Sequence, residues 1–163
     1  MRRSRRWIIA IAVVAAAALW YTRPLTLTQM LGTEPAQVHV VIDRFDESGN
    51  SQVRDLSAEC DQAPEAMALV EDLTVRRSLL NPVRSLFSPA ISGTATHPGD
   101  YNYLIMLTGQ NGGRVTLQWF IDAWSYDTPA TDQYLPCSVS ASRSGQELGD
   151  ALWELSQPVK SNS

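Results

Sequence analysis

The chain is poor in the residues that most often do chemistry. Its 163 residues include two histidines, His39 and His97, and two cysteines, Cys60 and Cys137. Metal binding needs more ligands than two distant thiols, and no Cys-x-x-Cys or His pair supplies them. No Gly-x-Ser-x-Gly elbow announces a serine nucleophile. No cysteine follows the N-terminal apolar run, so lipoprotein anchoring is unsupported, and the rest of the chain holds no internal repeat or low-complexity segment. Basic residues are scarce beyond the leader. Of 13 lysines and arginines, five are leader arginines, and the other eight face 17 acidic residues, a net charge of −9 for residues 24 to 163. Such a surface avoids nucleic acid and adheres poorly to anionic lipids or wall polymers. The composition calls for no cofactor and no metal.

The leader is the most informative segment present. Met1-Arg2-Arg3-Ser4-Arg5-Arg6 abuts an uncharged run from Trp7 to Tyr21, closed by Arg23-Pro24. The positive-inside bias places this N-terminus in the cytoplasm and sends the rest of the chain across the membrane. As a helix the 15-residue run rises about 22 Å, against a hydrocarbon core of ~30 Å. Two assignments stay open: a signal peptide cleaved after Ala16-Ala17-Ala18, or a retained anchor. The anchor is preferred, because Trp7 and Trp20-Tyr21 resemble interfacial aromatic belts and Arg5, Arg6 and Arg23 can snorkel. Ser4 to Ile9 partly matches a twin-arginine export signal, with two isoleucines where that motif prefers Phe-Leu. The expected organisation is a cytoplasmic basic segment (1–6), a single-pass transmembrane anchor (7–22), a juxtamembrane linker (23–36), an extracytoplasmic domain (37–158) and a mobile tail (159–163).

Two thiols in an exported domain suggest a Cys60–Cys137 disulfide, worth roughly 4 kcal/mol in the simple loop-entropy model.

Within the domain, Val38, Val40 and Ile42 alternate with His39, Val41 and Asp43, which predicts a strand; Asp46-Glu47-Ser48-Gly49-Asn50 turns it into a partner through Gln52 to Ala58. Pro64 opens a helix with Ala66, Leu69, Val70 and Leu73 on one stripe. Thr74 to Leu80 reads as extended. Tyr101 to Thr108 and Arg114 to Trp124 flank Gln110-Asn111-Gly112-Gly113, the strongest short hairpin signal, with Val115, Leu117, Trp119 and Ile121 on the core face. Tyr134 to Ala141 reads as a last strand. Ser144 with Glu147 forms a capping box opening a helix through Leu148, Ala151, Leu152 and Leu155. The order predicts an α+β fold: one antiparallel sheet with two helices on one face, behind an N-terminal transmembrane helix.

In Val38 to Ile42, Pro64 to Leu73, Tyr103 to Leu107 and Leu148 to Leu155, the layout resembles uncharacterised membrane-anchored extracytoplasmic α+β domains of Gram-positive bacteria. That resemblance implies the fold and the location, and lends no activity.

Candidate chemistry is sparse. A histidine base would have to be His39, inside a strand, or His97, beside Pro98-Gly99. Asp122, Asp127 and Asp132 recur near Trp119, Trp124 and Tyr126, the composition of sugar-cleaving sites but with no defined carboxylate separation. Asp43, Asp46 and Glu47 lack the alternation of a calcium loop. The better lead is Phe120 and Trp124, apolar where alternation calls for polar, beside Tyr126: a contact surface for a protein partner or ligand. The expected function is therefore a non-catalytic interaction or ligand-sensing module on a single-pass membrane protein. The alternative is an anchored or secreted hydrolase of cell-wall or carbohydrate substrates using Asp122 and Asp127 or His97.

Overall fold

The computed structural model describes residues 2–48, 50–79, 99–120, 123–128 and 134–158. Helix α1 (Arg2–Tyr21) leads into β1 (Leu25–Thr26), α2 (Leu27–Leu31), β2 (Pro35–Phe45), β3 (Ser51–Glu59), α3 (Pro64–Glu71) and β4 (Thr74–Arg77). Then come β5 (Tyr101–Gly109), β6 (Arg114–Phe120), β7 (Ala123–Asp127), β8 (Leu135–Ser140), α4 (Gly145–Leu155) and β9 (Gln157–Pro158). Among the described residues, nine strands form one sheet in the order β1-β4-β8-β7-β6-β5-β2-β3-β9, every neighbouring pair antiparallel.

Local chemistry explains the two central hairpins. At the β2–β3 turn, Asp46 Oδ1 accepts the N–H groups of Ser48 (2.8 Å) and Asn50 (2.9 Å), so the side chain does what a turn backbone would otherwise have to do. At the β5–β6 turn, Gly112 sits at φ 78°, the left-handed region that favours glycine, and Asn111 Oδ1 accepts Gly113 N–H. These turns set the register that aligns Val38, Val40 and Ile42 with Leu107, Ile105 and Tyr103, and those with Val115, Leu117 and Trp119. Except for half-buried Trp119 these residues are fully or nearly fully buried.

Helices cover that face. Leu27 of α2, Val70 of α3 and Leu148 and Leu152 of α4 join the same core. Both short-range caps form as their sequences dictate: Ser144 Oγ accepts Glu147 N–H while Glu147 Oε2 accepts Ser144 N–H, and Thr26 and Gln29 do the same for α2. One register row crosses eight strands: Pro158, Arg54, Ile42, Tyr103, Trp119, Trp124, Cys137 and Arg77. An arginine stands near each end of it.

Three expectations need correction. The predicted two-helix α+β domain behind a transmembrane helix gives way to a large curled antiparallel sheet accompanied by four helices. No helix among the described residues is long and apolar enough to cross a membrane, because the first turns of α1 are arginine-rich and its uncharged part is short. Residues 25–36 are no linker: β1 pairs with β4, and Leu27 is wholly buried. The opposite sheet face is also less solvated than alternation implies, since Thr116 and Ser125 are 3% and 4% exposed. The proposed tail, 159–163, lies outside the described residues.

Candidate functional site

The three aromatics expected to form one contact surface are split by register. Arg114 to Trp124 is not one strand: the chain reverses between Phe120 and Ala123, which pair, so Trp124 falls opposite Trp119 on the helix-covered face. Trp124 packs against Trp119 and Tyr103, with ring centroids 4.8 Å and 5.6 Å away, and Tyr126 is 3% exposed opposite Leu117. Phe120 points to the other face. Trp124 and Tyr126 are therefore structural, and the patch does not assemble.

Nor do the other predicted groups converge. Cys60 and Cys137 are both free. Cys60 follows β3 and Cys137 lies in β8, five strand positions apart in the sheet order, and the expected disulfide is not formed. Burial pushes the Cys137 thiol up to about 12, and burial followed by Asp61 raises Cys60. His39 and Asp127 share a register row across β2, β5, β6 and β7, which separates them by about 14 Å. Asp127 instead faces Arg114 at 3.9 Å. His97, Ile121, Asp122 and Asp132 lie outside the described residues. Among the described residues no three His, Cys, Asp or Glu side chains come together as a metal site.

What does assemble is an arginine–aromatic cluster where α4 crosses the end of β2, β3 and β5. Arg54 stands over the Trp153 ring at 4.1 Å and donates from Nη1 to the Trp153 carbonyl at 3.0 Å. Arg44 lies 5.9 Å from the same ring and 5.5 Å from that of Tyr101. Tyr101 in turn donates its hydroxyl to Asp150 Oδ1 at 2.8 Å; burial, then that contact, raises its pKa to about 12. Two cations thus share one indole, an arrangement favoured by the negative face of the ring.

Beside the cluster opens a cavity of about 380 Å³ lined by Arg44, Phe45, Asp46, Glu47, Gln52 and Gly99. Its wall is tied to the helix that carries Trp153: Gln146 Nε2 donates to the Gly99 carbonyl at 2.8 Å, and Gly99 N–H donates to the Phe45 carbonyl at 2.8 Å. A cavity of that size suits a small ligand. The sequence carried one signal for it, namely arginines at 44 and 54 on the very alternation that places Ile42 in the core. No protein-family model, characterised protein or solved structure matches this chain.

Proposed function

We propose that this protein is a non-catalytic ligand-sensing module delivered to the outer side of a membrane by its N-terminal helix. The observation that carries the recognition reading is the pair of arginines on Trp153, of which Arg44 also lines the Arg44–Gln52 cavity. Ring contact keeps the N–H edge of Arg44 available, and the aromatic anchor holds the guanidinium in place before any ligand arrives. The delivery reading is supported by α1. Its large apolar side chains, from Trp7 at 70% to Leu19 at 74%, stand exposed, a surface that water tolerates poorly, and arginines precede it in sequence.

The test is a thermal-shift screen of small polar solutes against the native chain and Arg44→Gln. A ligand at one hundred times its dissociation constant stabilises by about 2.7 kcal/mol, a shift of several degrees for a domain of this size. The reading requires at least one solute that raises the native melting temperature and not that of the variant. Failure of every solute to distinguish the two proteins would remove it.

A further inference from the structure

Arg44 and Glu47 bring opposite charges to one cavity without meeting. Both line it, and among the described residues neither stands within ion-pairing distance of an opposite charge. Arg44 is held by the rings of Tyr101 and Trp153, contacts that use none of its N–H donors. Gln52 pairs with Arg44 across β2 and β3 and lines the same cavity, adding an amide donor next to the guanidinium. The third charged group of the wall is already engaged: Asp46 accepts Ser48 N–H, Asn50 N–H and the Asn50 amide. Among its described residues the wall therefore offers one unspent fork of donors and one unspent carboxylate.

Those charges restrict the occupant. A dianion such as phosphate would meet Asp46 and Glu47 as well as Arg44, and a plain cation would meet Arg44. A molecule bearing a carboxylate and an ammonium group satisfies both ends at once, the carboxylate taking a two-pronged contact from Arg44 with help from Gln52, the ammonium facing Glu47. We infer that the cavity binds a zwitterion of the class of free α-amino acids and short unblocked peptides. The inference rests on the proposed recognition role of this end of the sheet.

Calorimetry on the full chain in detergent micelles tests it with Ala-Ala, N-acetyl-Ala-Ala and Ala-Ala amide as probes. The expected result is binding of Ala-Ala, with each blocked form weaker by about tenfold or more, since each loses one charge-assisted contact. Arg44→Gln should lower the affinity for Ala-Ala to that of the amide, and Glu47→Gln to that of the acetylated form. The blocked peptides are compared on unaltered protein, so the result does not depend on how the variants fold. Equal binding of Ala-Ala and its acetylated form, still lost in Arg44→Gln, would overturn the zwitterion and leave the recognition site standing. Absence of binding by all three, with an Arg44-dependent solute found in the thermal screen, would overturn the ligand class alone. Absence of both would overturn the class and the site together.

Discussion

Gly145 lies directly against Trp119: a Cβ on this glycine would come within 2.6 Å of the indole Cζ2. The first residue of α4 is thus small because the sheet's central tryptophan passes beneath it, and Tyr103 locks the approach by donating its hydroxyl to the Gly145 carbonyl at 3.0 Å.

Gly145→Ala should therefore destabilise by about 1–3 kcal/mol, the cost of overpacking a ring that Tyr103 and Trp124 keep from moving, offset in part by the better helix propensity of alanine. Urea denaturation measures it. An unchanged midpoint would mean that α4 is not seated where the Tyr103 hydrogen bond places it.

Trp119→Ala and Trp124→Ala should each cost about 3–5 kcal/mol, and the double variant should cost less than their sum, because the two rings pack on one another. Strict additivity in this cycle would contradict the β6–β7 register. The same pairing makes Trp124 a poor choice for a contact surface.

How much of this was legible depends on where each signal lies in the chain. The Asn111-Gly112 turn, the Asp46 turn and the Ser144–Glu147 cap carry their own chemistry within a few residues, and each forms as its sequence demands. The reversal after Phe120 has no Gly or Pro to announce it, so alternation runs straight through it and puts Trp124 on the wrong face. The two-residue strands β1 and β9 are too short for any period. The candidate site needs Arg44, Arg54, Tyr101 and Trp153 from four elements spread over more than a hundred residues, and no local pattern could join them.

Both thiols should be free. Alkylation of the native protein under non-reducing conditions, followed by mass analysis after unfolding, should find two thiols in total, with Cys137 the slower to react because burial keeps its thiolate scarce. A mass two protons lighter with no reactive thiol would restore the bridge.

Acid should weaken the fold through two carboxylates that accept backbone N–H groups. Asp72 accepts Ser142 N–H at 2.7 Å and Glu147 accepts Ser144 N–H at 2.8 Å, and these bonds hold both carboxyls below their ordinary range. A carboxyl depressed in the folded state contributes stability above its unfolded value, about 4, that disappears as pH falls through the folded value. Asp43, raised by burial, acts in the opposite sense. Melting temperature should thus fall below about pH 4, and Asp72→Asn with Glu147→Gln should flatten that limb. An acid limb of unchanged slope in the double variant would assign the loss elsewhere.

The most direct test of recognition at the Arg44–Trp153–Arg54 end is a titration of the ¹⁵N-labelled chain with Ala-Ala, following the tryptophan indole N–H signals. Trp153→Phe identifies the signal of Trp153 by its loss. The prediction is a saturable shift of that signal, absent in Arg44→Gln, while the Trp119 and Trp124 signals stay in place. Movement of Trp119 and Trp124 with Trp153 unmoved would return recognition to the aromatic row of the sheet and contradict the account.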